Sequence, residues 1–215
     1  MKEIEGNQVM FTVLELGGMD LQKYFDKIIR DEEGYVEEEE GYVEERTHED
    51  FLVKVFRGAA KALTQFHKYG IHGDIKLENF IVSLGKIYDE NVIECKLIDF
   101  NTSVLKGQYS LKNMKIFAKK NKAPEIVKSG KASKEADVWA FALSRHNVYR
   151  TMEEYRSNTE YNTKLDRVIK ACVQPAPSNR PTMKEIAKFL NGEIGSFGYE
   201  QREMKRHFSS CLGRF

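Results

Sequence analysis

Residues 70–82, GIHGDIKLENFIV, constrain this chain more than any other stretch. They set His72, Asp74, Lys76 and Asn79 in one short loop, and a further carboxylate, Asp99, ends an apolar run twenty residues beyond Asn79. The flanking segments must present these polar groups without burying them unpaired. Upstream, Leu52, Phe56, Ala59, Leu63 and Phe66 step by four and three, which predicts one amphipathic helix with a continuous apolar stripe. Thr47 is its expected N-cap, with His67 and Lys68 at its C-terminal end and Gly70 in a left-handed cap. Downstream, NFIV and CKLIDF predict two short strands joined by a polar loop around YDEN.

Those side chains suit phosphate chemistry. Phosphoryl transfer needs a divalent cation bridging the phosphates, hard oxygen ligands for it, and a carboxylate that orients the attacking hydroxyl. Asn79 and Asp99 are suitable metal ligands, Asp74 is the natural base, and Lys76 can set positive charge on the transferring phosphate. Several kinds of phosphotransferase could use such a triplet, and these residues alone leave the choice open.

Elsewhere, MFTVLEL (10–16) reads as a strand, and GG separates it from MDLQKYFDKIIR, which has helical spacing. The segment 31–46 carries nine acids and one base and contains EEGYVEE twice, at 32–38 and 39–45. Seven residues are too few for a solenoid unit, and the charge density predicts a disordered insertion. The remainder then holds 33 bases against 24 acids, so the overall +1 hides a basic body. ADVWAFAL and LDRVIKACV predict buried helices, and TMKEIAKFL another, opened by a Thr182–Glu185 capping box. Residues 192–215 form an expected C-terminal tail, partly disordered. Cys95, Cys172 and Cys211 match no metal spacing and read as reduced thiols of an intracellular protein expected in the cytoplasm.

The motifs together resemble the C-terminal lobe of a eukaryotic protein kinase, over about residues 9–191. HGDIKLEN resembles the catalytic loop, IDFN the metal motif, and APE (123–125) the end of the activation segment. EADVWAFAL resembles the buried helix of the large lobe, and NRPT supplies an arginine. The resemblance implies an α+β fold, mainly α-helical, with a hinge strand and a short β-hairpin at the catalytic loop. It implies a Glu125–Arg180 ion pair and an Asp137 that holds the catalytic-loop backbone. It also implies Ser/Thr kinase activity using ATP and Mg²⁺: Asp74 and Lys76 catalytic, Asn79 and Asp99 on the metal. Glu15 and Gly17 would floor the adenine from the hinge, Asp20 would lie near the ribose and Ile81 beneath the ring. The implied partner is a protein substrate, with no role for nucleic acid or membrane. Aminoglycoside-type phosphotransferases share His-Gly-Asp, but Lys76 and the APE, DVW and RPT motifs oppose that assignment.

The departures carry expectations of their own. The similarity begins at the hinge strand, with no Gly-rich loop or Lys–Glu pair, so weak ATP binding is expected; a catalytically inactive interaction module is the alternative function. Lys54 in FLVKVF is read as solvated on the long helix rather than as a nucleotide lysine. Gly73 replaces an arginine that clamps an activation-loop phosphate, which implies phosphorylation-independent activity. Asn101 stands at the glycine of the metal motif, where it is expected to take the left-handed turn. Ala118 lacks the hydroxyl expected to touch Asp74 and Lys76. His72 is expected to be a buried structural residue against Phe100. Six lysines and no acid between 101 and 124 would attract acidic peptides or the chain's own acidic insertion.

Overall fold

A computed structural model describes residues 17–24, 26–27, 46–82, 93–107, 122–143 and 163–212. The strand expected at 10–16, Glu15, the acidic insertion up to residue 45 and Ala118 lie outside the described residues.

The apolar stripe forms helix α1, Arg46–Phe66, which buries Leu52, Val55, Phe56, Ala59 and Leu63. Thr47 falls inside its first turn rather than at its cap, because the helix already begins at Arg46. Lys54 lies on this helix, half-buried. One side of α1 packs on helix α5, Met183–Leu190, and the other on strand β3, Cys95–Leu97. Gly58 makes the second contact possible: a Cβ there would stand 2.3 Å from the carbonyl oxygen of Ile93. A mid-helix glycine costs about 1 kcal/mol of helix propensity, which the closer packing offsets.

Four short strands form two antiparallel pairs. β1 (Gly70–Ile71) pairs with β4 (Val104–Leu105), and β2 (Phe80–Val82) with β3, with Phe80 opposite Leu97 and Val82 opposite Cys95. Gly70 is therefore a strand residue and not the left-handed helix cap expected of it. Its requirement for glycine is tertiary, since a Cβ would lie 2.6 Å from Val104 O. Residues 17–20 extend the β2 side: Gly18 N donates to Val82 O (2.9 Å), Val82 N to Met19 O (3.0 Å), and Asp20 bridges Ile81.

Helices α2 (Pro124–Ser129), α3 (Lys134–Leu143) and α4 (Lys164–Cys172) complete the body with α5. Trp139 and Phe141 of α3 are fully buried, and Phe141 meets Phe56 of α1 edge-on at 5.4 Å. Thr182 and Glu185 form the expected capping box on α5. Cys95 and Cys172 are free, and burial pushes the Cys95 thiol up to about 12. No helix among the described residues is long and apolar enough to cross a membrane.

The C-terminal region differs from expectation. Where partial disorder is expected, residues Gly198–Leu212 form helix α6, and Phe197 and Tyr199 at its start are buried in the same core. The Phe197 ring lies tilted against that of Phe189 with centroids 4.4 Å apart, Glu200 accepts from Phe197 N at 2.8 Å, and both Glu200 oxygens are held by Arg167 at 3.0 and 2.8 Å. This anchoring outweighs the glycines and surface charges that suggested disorder.

Candidate active site

The strand pairing brings the polar residues together. The loop 72–79 runs from β1 to β2, and the loop 98–103 runs from β3 to β4; because β1 pairs with β4 and β2 with β3, the two loops lie side by side. Hydrogen bonds to backbone carbonyls seal them: Ile98 N donates to Asn79 O at 2.9 Å, and the Ser103 Oγ and Thr102 Oγ1 hydroxyls donate to His72 O at 3.1 and 3.0 Å. Asn79, near the end of one loop, thus neighbours Asp99 at the start of the other.

His72 is the post between them, 0% exposed, with its ring 5.6 Å from both Phe66 and Phe100. Its Nε2 is 2.9 Å from Ile98 O, and its Nδ1 accepts from Asp74 N at 3.3 Å, so the ring carries its proton on Nε2. It is structural, as the sequence suggested. Asp137, 2% exposed on α3, anchors the same loop from below, accepting from His72 N at 2.8 Å and Gly73 N at 2.9 Å. His67 Nε2 sits 3.0 Å from the same carboxylate, so both oxygens of this buried group have hydrogen-bond partners.

Gly73 adopts φ 83°, a left-handed backbone that costs a residue with Cβ about 1–2 kcal/mol. Its carbonyl accepts from Lys122 Nζ at 3.2 Å. The loop therefore has a local reason for glycine here, apart from any lost arginine.

The anchored loop presents Asp74, whose Oδ2 pairs with Lys76 Nζ at 3.0 Å. Both side chains are partly open to solvent. The hydrogen bond to Asp74, aided by the charges of Asp74, Glu78 and Asp99, holds the Lys76 ammonium above its usual range despite some desolvation. Asn79 donates its amide to Asp74 O at 2.8 Å, and its side-chain oxygen is the atom that can act as an acceptor or metal ligand. Asp99 itself takes the left-handed backbone (φ 60°), not Asn101 as expected; Asn101 instead donates its side-chain amide to Asp99 Oδ1 at 2.9 Å. A side-chain clasp replaces backbone freedom in that turn.

Of the expected nucleotide floor, Gly17 and Ile81 are in direct contact: a Cβ on Gly17 would stand 2.4 Å from Ile81 Cγ2. Asp20 lies beside Ile81, but its carboxylate is engaged. Oδ1 accepts from Lys23 N at 2.9 Å, capping the helical turn 21–24, and Oδ2 pairs with Lys23 Nζ at 3.0 Å. Burial alone would raise the Asp20 pKa, but these Lys23 contacts prevail and hold it below the usual carboxylate value. Sequence reasoning missed Lys122; its position two residues before Pro124 was the only signal.

Away from the loop, Arg180 holds Glu125 with both terminal nitrogens, at 2.6 and 2.9 Å, and its guanidinium stacks 4.8 Å over Trp139. The implied ion pair is present and ties the start of α2 to the segment before α5.

Comparison with known proteins agrees with this geometry. The family model described as "Protein kinase domain" matches residues 5–167. RGS domain-containing serine/threonine-protein kinase A of Dictyostelium discoideum is 24% identical over 156 residues, covering 64% of this chain and 13% of that protein. Serine/threonine-protein kinase dst1 of the same organism is 29% identical over 168 residues, covering 68% and 21%. Serine/threonine-protein kinase ppk13 of Schizosaccharomyces pombe is 24% identical over 158 residues, covering 58% and 44%. The chain spans less than half the length of each of these relatives. With the family model covering most of its length and the two-loop site assembled as above, the chain belongs to the protein kinase domain family.

Proposed function

We propose that the chain works as the large lobe of a Ser/Thr-type protein kinase, supporting transfer of the γ-phosphate of ATP to a protein hydroxyl with Mg²⁺. The observation that carries this reading is the open Asp74–Lys76 pair on a loop whose backbone amides are gripped by buried Asp137. Asp74 accepts a hydrogen bond from the attacking hydroxyl and takes its proton as the new bond to the γ-phosphorus forms and the bond from that phosphorus to the departing ADP oxygen breaks. Lys76, kept charged by its neighbours, offsets negative charge on the transferring group. The amide oxygen of Asn79 and the exposed carboxylate of Asp99 form a donor set that fits a hard divalent cation. Bound Mg-ATP would supply the phosphoryl group and the charge that activates it.

A second reading, a non-catalytic interaction module, is favoured by Asp20: both its carboxylate oxygens are engaged by Lys23 within the chain, contacts that compete with a ribose hydroxyl.

One experiment separates the two. Mg-ATP should raise the melting temperature of the chain, Asp99→Ala should abolish that shift, and Asp74→Asn should keep the shift but lose phosphotransfer to a generic protein substrate. An equal response to Mg-ATP in the parent and Asp99→Ala overturns the catalytic reading.

A further inference from the structure

The peptide bond between Gly73 and Asp74 is held at both ends. Its carbonyl oxygen accepts from Lys122 Nζ at 3.2 Å, and its amide, Asp74 N, donates to His72 Nδ1 at 3.3 Å. The preceding amide, Gly73 N, donates to buried Asp137 at 2.9 Å. Gly73 is thus gripped by a carboxylate at its N–H and by an ammonium at its C=O. Its φ of 83° is open to glycine at no steric cost, and glycine has no side chain to resist rotation of the next peptide. The direction in which Asp74 leaves the loop is therefore set by these contacts.

Lys122 is built to make its contact from a fixed base. It stands immediately ahead of buried Ala123, and Glu125, three residues on, is clamped by Arg180. Ile126, 1% exposed, donates its N–H to Ala123 O at 2.9 Å. The backbone that carries Lys122 is tied to the core, and its half-buried side chain reaches back to the loop. Beside the contact lies a pocket of about 20 Å³, lined in part by Gly73, Lys122, Ser133 and Asp137, with room for about one water. Little solvent is at hand there to replace the ammonium on the carbonyl.

We propose that Lys122 is a positioning residue for Asp74: its ammonium locks the Gly73–Asp74 peptide and thereby aims the Asp74 carboxylate. The charge belongs to the side chain itself, so the segment before α2 is joined to the loop without any added phosphate. The consequence for rate rests on the phosphotransfer reading above, whereas the lock itself does not.

Amide hydrogen exchange on the full-length chain, without nucleotide, tests the lock. Lys122→Met removes the donor and keeps an apolar stem, so the peptide can rotate and release Asp74 N from His72. Exchange at Asp74 N should rise about ten- to a hundredfold, the range expected for losing a charge-assisted hydrogen bond. The α3 amides of Val138 and Trp139 should exchange as in the parent. Lys122→Arg, which keeps a cationic donor, should restore slow exchange at Asp74 N. An unchanged rate at Asp74 N in Lys122→Met overturns the lock, as does an arginine variant that exchanges like the methionine one. Acceleration of equal size at Val138 and Trp139 overturns it too, because Lys122 would then serve general stability. Steady-state phosphotransfer to a generic protein substrate supplies a second readout. Lys122→Met should lower kcat about tenfold with KM for ATP unchanged, and Lys122→Arg should recover kcat. A raised KM for ATP with kcat intact overturns the positioning role and assigns Lys122 to nucleotide binding. Absence of phosphotransfer in the parent counts against the catalytic reading alone, and the exchange rates then decide the lock.

Discussion

Asp137 accepts the backbone amide of His72 through Oδ2 at 2.8 Å, linking a helix buried in the core to the loop that carries Asp74. The contact is one of three to that carboxylate, the others coming from Gly73 N and His67 Nε2. The loop's position is therefore fixed by the interior rather than by its own sequence.

Replacing this acceptor strands two backbone donors, each costing about 1–3 kcal/mol when buried and unsatisfied. Asp137→Ala should lose roughly 3 kcal/mol or more of stability in urea unfolding, and Asp137→Asn about half as much. A loss below 0.5 kcal/mol for Asp137→Ala would show that the loop holds itself.

Gly58→Ala sets two effects against each other. Helix propensity gains about 1 kcal/mol, but the methyl would sit 2.3 Å from Ile93 O and force β3 away from α1. The backbone obstacle should win, giving a net loss of roughly 1–2 kcal/mol by denaturant midpoint. A stabilised variant would mean the strand moves freely.

At the C-terminal helix, Phe197→Ala removes a ring that is buried and packed against Phe189. The expected loss is about 3–4 kcal/mol. Differential scanning calorimetry should show one lowered transition, because α6 shares the core; a separate early transition would contradict that.

Asp20 gives a prediction in pH. Its folded pKa lies below 3.8, so the fold favours the ionised form. Its contribution is full above that value and fades as pH falls through the folded pKa. Asp20→Ala should therefore cost about 1 kcal/mol at neutral pH, as a lost helix cap, and little in strong acid. A pH-independent difference between the two proteins would refute the assignment.

The features legible in the sequence are those set by local rules or by ordered motifs. The Thr182–Glu185 box needs only four residues, and the stripe on α1 announces its own face. Asp137, Glu125 and Arg180 could be read because their roles follow from the motifs around them. Gly70 was misjudged because a local rule suggested a helix stop, while the deciding contact comes from Val104 across the sheet. Asn101 was misjudged for a related reason: its side chain clasps Asp99, so the left-handed turn falls two residues earlier. Helix α6 was missed because glycines and charges dominate its composition, whereas two buried aromatic rings and the Arg167–Glu200 pair determine its structure.

Trp139 is the chain's only tryptophan, and the guanidinium of Arg180 covers its ring while gripping Glu125. Intrinsic fluorescence from this protein is consequently a single-site signal. Opening the Arg180–Glu125 clamp would uncover one indole to water and shift its emission to the red, so a label-free optical reading follows the joint between α2 and α5 in real time.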